Sequence, residues 1–318
     1  MKDSVNFLMV CVLLCGVVLA EEAGPDIVLR AGAKNSQPDV LPTLRVQHEK
    51  MWGNYYLMLS ATFPNVPDFQ CDSWCYESAV DFVDARAWDG GAIDFRHRDK
   101  NQPQALAVTT VTPEPGAITV EARMVLDKEG HPDAALPVQP TGLNLCWQLR
   151  HAKGFSSLPD TYPDFVRRCF IYTEKGRSFL LDLDRRKIPP QPADHEYNNP
   201  PWVQSYVGLW QSVPEVGPKS WADYSRDRYT TTLIGAVSRD KKHLTAIGTD
   251  SATTLCQAWH DCMHNNPQWA PADAPVTEQR WRLKIYATDN DPEALLERFG
   301  KDFPNAPHQK PKATVTAE

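Results

Sequence analysis

The chain has 318 residues, 42% of them hydrophobic and 10% aromatic, with 33 Lys and Arg against 40 Asp and Glu and a net charge of −7. A mild acidic excess with no long run of one sign argues against nucleic acid as a partner. Twenty-seven prolines and ten tryptophans, with many short alternating segments, favour an all-β architecture with long connections.

Lys2 is followed by an apolar run from Phe7 to Leu19, broken by Gly16, and Val18-Leu19-Ala20 precedes two glutamates. This pattern reads as a secretory signal, residues 1–20, cleaved after Ala20. The mature chain is expected to begin at Glu21 and to be secreted or periplasmic. A lipid anchor on Cys15 is disfavoured by Leu14, which stands where a small residue is usual. Beyond Ala20 no apolar run approaches the ~18 residues of a membrane span, so no transmembrane segment is expected. Six cysteines remain after cleavage: Cys71, Cys75, Cys146, Cys169, Cys256 and Cys262. An even number in an exported chain points to disulfides, and fifteen complete pairings are open.

Residues 21–45 contain few periodic apolar positions and read as an extended lead-in. Residues 46–303 read as one β-sandwich domain, and 304–318 as a disordered tail rich in Pro, Lys and Thr. The first convincing strand is Asn54 to Phe63. Cys71 and Cys75 flank Asp-Ser-Trp, where a local staple requires Cα atoms within ~7 Å. Ile118, Val120, Ala122, Met124 and Leu126 alternate with Thr119, Glu121 and Arg123, so one face is directed to a core and the other to water. Leu143, Leu145, Trp147 and Leu149 repeat the pattern. They leave Asn144, Cys146, Gln148 and Arg150 on the opposite face, a possible binding surface. Hairpins are expected from Arg168–Thr173 to Arg177–Leu183, with Gly176 supplying a positive φ, and from Tyr229–Ser238 to His243–Asp250. Cys146 and Cys169, placed on neighbouring strands by this reading, are expected to pair. Thr277 to Ala287 is a late strand with Trp281, Leu283 and Ile285 on one face. The one expected helix begins at Asp291, a capping residue, with Pro292 in the first turn.

Cys256-Gln-Ala-Trp-His260-Asp261-Cys262-Met-His264-Asn265-Asn266-Pro concentrates chemistry-bearing residues. As one strand it puts Cys256, His260, Cys262 and His264 on a single face. As a helix it puts His260 and His264 one turn apart. Either geometry lets both histidines meet a divalent metal, although Asp261 replaces the Glu of the two-histidine protease motif and no third ligand follows. The other readings are a polar sugar cleft, or disulfides and packing. No cofactor is required by the sequence.

A second region runs through Trp202, Gln204, Tyr206, Trp210, Trp221, Asp223, Tyr224, Arg226, Asp227, Arg228 and Tyr229. Indole faces stack on sugar C–H surfaces while Gln, Asn and Arg meet hydroxyls. Trp202, Gln204, Tyr206, Trp210, Trp221, Asn265 and Asn266 are therefore candidate substrate contacts. Asp223, Asp227 and Asp261 could supply the carboxylate pair of a glycosidase. Alternatively, His260 or His264 serves as base with Tyr224 or Tyr229 as acid, and Arg226 or Arg228 neutralises a uronic carboxylate.

The strand order, the proline-rich connections, and segments such as Gly235 to Leu244 followed by Trp259 to His264 resemble the large β-sandwich proteins of polysaccharide processing, including the mutarotase-like supersandwich. The resemblance implies carbohydrate as the substrate class, with His, Arg and Tyr lining the concave face of a sheet. The expectation is an all-β, two-sheet antiparallel sandwich or supersandwich with one short C-terminal helix. It would act on a polysaccharide or oligosaccharide as lyase, hydrolase or epimerase through His260, His264, Tyr224, Arg226, Arg228 and Asp261. The alternatives are a noncatalytic carbohydrate-binding protein and a metal-binding protein or metalloenzyme centred on His260 and His264.

Overall fold

The computed structural model describes residues 26–31, 50–51, 54–55, 57–62, 70–76, 80–87, 92–99, 105–126, 143–148, 154–155, 162–184, 203–217, 220, 222–257, 262–267 and 278–306. One sheet has eight strands in the spatial order β1 (Asp26–Ala31), β4 (Leu57–Thr62), β5 (Gln70–Tyr76), β10 (Leu143–Gln148), β18 (Cys262–Pro267), β17 (Ala252–Gln257), β13 (Val203–Tyr206) and β14 (Ala222–Tyr224). The other has nine, in the order β12 (Gly176–Phe179), β11 (Cys169–Thr173), β15 (Leu233–Val237), β16 (His243–Thr249), β19 (Glu278–Asp289), β9 (Ala117–Leu126), β8 (Ala105–Glu114), β7 (Ile93–Asp99) and β6 (Val80–Ala87). A two-residue ladder joins β2 (Lys50–Met51) to β3 (Asn54–Tyr55). Pairing within the large sheets is antiparallel except between β13 and β14. The all-β, two-sheet expectation is met.

The expected alternations produce the core. Ile118, Val120 and Ala122 of β9 and Trp281, Leu283 and Ile285 of β19 turn inward with Ile171, Ile234 and Ile247. Tyr206, Leu255 and Met263 meet them from the eight-stranded sheet. Fully burying a side chain of this size contributes roughly 1.5–3 kcal/mol. β17 carries a register shift between Ala252 and Thr254. The bulge lets both Ala252 and Leu255 reach the core although they are three positions apart, an odd offset that would otherwise put them on opposite faces.

The nine-stranded sheet is covered on its second face as well. Helix α2 (Pro292–Asp302) starts as expected, with the Asp291 carboxylate accepting from the Glu293 and Ala294 N–H groups at 3.1 and 2.9 Å. Its Leu295 and Phe299 pack with Phe170, Tyr172, Leu244 and Tyr286. Gly248 admits this docking, because a Cβ there would stand 2.7 Å from the Phe299 ring. A buried charge cluster ties the helix end to the sheet. Lys284 Nζ lies 2.6 Å from Glu114 Oε2 and 2.8 Å from Asp302 Oδ1, and the Tyr286 hydroxyl donates to Asp302 Oδ2 at 3.0 Å.

Several expectations are revised. Asp26–Ala31, read as lead-in, is a paired edge strand on β4. A short helix, α1 (Tyr162–Arg168), precedes β11. Residues 304–306 extend the packed end of α2, and Ala306 is buried beside Phe303. Cys146 and Cys169 lie in different sheets, and Cys169, Cys256 and Cys262 are buried thiols outside any disulfide. The expected Cys146–Cys169 pairing is therefore corrected: sequence adjacency of β10 and β11 does not make them sheet neighbours. Gly176 does carry the hairpin turn, at φ 87°. The signal segment, Leu149, Arg150 and residues 307–318 lie outside the described residues. Among the described residues, no helix is long and apolar enough to cross a membrane.

Candidate functional site

The segment from Cys256 to Pro267 is neither one strand nor a helix. β17 and β18 pair with each other, so Cys256 and His264 stand directly opposite across the ladder. Paired residues share a face of the sheet. Register extends this row in both directions: Ser205 opposes Cys256, Tyr224 is level with Ser205, Cys146 opposes His264, and Trp74 opposes Cys146. Trp74, Cys146, His264, Cys256, Ser205 and Tyr224 thus occupy one line across six strands.

His264, Cys256, Ser205 and Tyr224 of this line lie on the face turned away from the nine-stranded sheet. The alternate positions face inward: Leu255 and Met263 are in the core, and Asn265 Nδ2 donates to the Thr232 and Ile247 carbonyls at 3.0 and 3.3 Å. On the outer face Ser205 Oγ and Cys256 Sγ are 3.3 Å apart, and Asn266 Nδ2 donates to Thr254 Oγ1 at 2.6 Å and to Cys256 Sγ at 3.3 Å. Cys262 Sγ sits 3.3 Å from His264 Nε2. Cys256, Cys262 and Ser205 are buried, whereas Tyr224, Thr254, His264 and Asn266 are half-buried.

Burial holds two groups of this face in their neutral forms. Burial pushes the Cys256 thiol up, against the lowering effect of its Ser205, Thr254 and Asn266 hydrogen bonds. Tyr224 is raised by burial first and by the proximity of Cys256 second. Both groups therefore remain protonated near neutral pH. A protonated thiol is a weak nucleophile, since attack needs the thiolate. Among the described residues, no group of three or more His, Cys, Asp or Glu side chains is arranged to hold a metal ion.

The candidate residues separate into distinct places. His264, Tyr224 and Asn266 share the outer face, but His264 and Tyr224 are three strand spacings apart, about 14 Å at ~4.8 Å per strand. Gln204, Tyr206 and Asn265 point the other way and are buried between the sheets. The Gln204 amide donates to the Asp223 carbonyl at 3.3 Å. Arg226 is exposed and lies 3.8 Å from Asp184, and Asp227 accepts the Asp184 N–H at 2.7 Å. Arg228 and Trp210 lie in the loops beyond β13 and β14. His260, Asp261, Trp202 and Trp221 lie outside the described residues, so the two-histidine pair is not assembled among them. Sequence reasoning missed Ser205 and Thr254. Ser205 was legible as the residue between Gln204 and Tyr206, on the opposite face of the same strand.

Fold and face together define a two-sheet β-sandwich with half-buried polar residues on the outer face of its eight-stranded sheet. Comparison with protein families, with curated proteins and with solved structures finds no match.

Proposed function

We propose that this is an exported carbohydrate-active protein that holds an oligosaccharide across the strands of its eight-stranded sheet. The observation that carries this reading is the single row of positions Trp74, Cys146, His264, Cys256, Ser205 and Tyr224, edged by half-buried Thr254 and Asn266. The strand spacing of ~4.8 Å is close to the length of one pyranose residue, so successive rings meet successive strands. Hydroxyl, amide and imidazole groups offer directional partners to sugar hydroxyls. Half-buried Tyr224 at one end of the row suits ring stacking.

Within this reading His264 is the proton-transfer candidate on the row. The spacing of β14 from β18 supports contact of Tyr224 with a different sugar ring. The export signal at residues 1–20 supports action on extracellular or periplasmic glycan.

The test is calorimetric titration of the mature chain with oligosaccharides of one to six rings from several polysaccharide classes, with product analysis on the same samples. Affinity should rise with length over the first three rings, and both His264→Ala and Tyr224→Phe should weaken it. Absence of binding across the panel, or binding indifferent to length and to both substitutions, would overturn the proposal.

A further inference from the structure

The loop beyond β13 holds a second arrangement, away from the row of side chains on the sheet face. Gly208 pairs with Tyr229 in an isolated bridge, and the chain turns so that the Gln211 N–H donates to the Gly208 carbonyl at 2.9 Å. Trp210, at the tip, is 42% exposed and is the one large hydrophobic side chain so exposed among the described residues. Its indole lies directly over Gly208. A Cβ on that glycine would stand 2.5 Å from Cε2 and Cζ2, so only glycine permits the ring to rest there. Tyr229 meets the indole at a steep angle, with centroids 5.4 Å apart. The platform is therefore fixed before any ligand arrives.

Two polar side chains beside it, Gln211 and Arg228, are also fixed. Gln211 Oε1 accepts from the Gly208 N–H at 2.7 Å and from the Tyr229 hydroxyl at 3.3 Å. This locks the side chain while its Nε2 has no partner among the described residues. Arg228 is half-buried, and its Nη1 donates to the Leu209 and Gln211 carbonyls at 3.1 and 3.2 Å, on either side of Trp210. No carboxylate among the described residues pairs with it. Asp227, its neighbour in sequence, takes the Asp184 N–H instead. A partly desolvated guanidinium held by carbonyls alone keeps its remaining N–H donors and its full charge for an anion.

We propose that Trp210, Arg228 and Gln211 form a subsite for an acidic sugar, a pyranose bearing a carboxylate. The ring's C–H face stacks on the indole, and the carboxylate takes the Arg228 and Gln211 donors. An exposed apolar platform beside a cation that no carboxylate among the described residues pairs fits a ligand that is apolar on one face and anionic at one edge. A neutral sugar leaves the charge uncompensated. This inference rests on the carbohydrate reading above and narrows its substrate class to uronate-bearing glycans.

The probes are oligogalacturonate and oligoalginate, each compared with its carboxyl-reduced neutral form by titration against the mature wild-type chain. The expected result is binding of at least one acidic oligomer, weakened tenfold or more by carboxyl reduction. Trp210→Ala should weaken it by a similar factor, with Trp210→Phe between. Arg228→Lys should reduce the preference for the carboxylate form. Because the ligand comparison uses unaltered protein, it stands even where an Arg228 variant folds poorly. Equal affinity for acidic and reduced forms, or unchanged binding by Trp210→Ala, overturns the subsite while leaving glycan binding at the sheet face in place. No binding of any glycan by the wild type overturns both.

Discussion

Asn265 and Asn266 are adjacent in sequence, and the register of β18 sends them to opposite faces, so the two substitutions to alanine should fail in opposite ways. Asn265 is fully buried, and its Nδ2 bridges the Thr232 and Ile247 carbonyls of the nine-stranded sheet. Each such bond contributes about 1 kcal/mol net, and removing the side chain also leaves a small cavity. Part of the loss is returned, because the buried Oδ1 makes no hydrogen bond among the described residues. Asn265→Ala should therefore destabilise by about 2 kcal/mol and leave glycan affinity unchanged. Asn265→Asp should be worse, since it removes both donors and aims a carboxylate at two carbonyls. Asn266 is half-buried on the outer face, so Asn266→Ala should cost less than about 1 kcal/mol while weakening oligosaccharide binding severalfold. Urea unfolding and glycan titration on the same preparations read both quantities. A stable Asn265→Ala that binds poorly, beside a destabilised Asn266→Ala that binds normally, would refute the assignment of faces.

Lys284→Met leaves Glu114 and Asp302 facing each other without their shared ammonium. The expected loss is about 3 kcal/mol, at the low end for a broken buried pair because both carboxylates keep some solvent contact; a urea midpoint shift equivalent to under about 1 kcal/mol would show that the cluster does not hold α2. Burial raises the phenols of Tyr172, Tyr229 and Tyr286. With folded values above unfolded ones, their stabilising contribution is complete below about pH 10 and is lost as pH rises from there through the raised values. Urea midpoints should fall over that range, less steeply for Tyr229→Phe, and a level midpoint would contradict the burial. Cys169, Cys256 and Cys262 should resist a thiol reagent in the native state and react fully in denaturant without reductant; a peptide map showing any of them in a disulfide would refute the thiol assignment.

The parts of the fold that were legible are those where one local rule decides. The alternation through Ile118, Val120 and Ala122 marks a strand, Gly176 marks its hairpin, and Asp291-Pro292 marks a helix start, because period, φ and capping are properties of a few consecutive residues. The site was legible only in composition. Trp202, Gln204 and Tyr206 read as one face, and Gln204 and Tyr206 do share one, but it is the inner face. Nothing within the strand distinguishes an aromatic that fills a core from one that greets a ligand. Leu233 to Val237 is buried at every position, so period two is silent about its faces. The Cys146–Cys169 expectation failed for the related reason that sheet order, which separates β10 from β11, is set by contacts distant in sequence.

What distinguishes the two sheets is the treatment of their outer faces. On the nine-stranded sheet, Phe170, Tyr172, Leu244 and Tyr286 project outward and require cover, which α2 supplies. On the eight-stranded sheet the corresponding outward positions include half-buried Thr254, His264 and Asn266, which can meet water without penalty. The choice is made in the β17–β18 hairpin. A slip of one residue between these strands would turn Met263 and Asn265 outward and bury His264. Met263 in the core and the Asn265 bridge to the opposite sheet both oppose that slip. Two inward residues with no ligand contact of their own thus determine that His264 faces out.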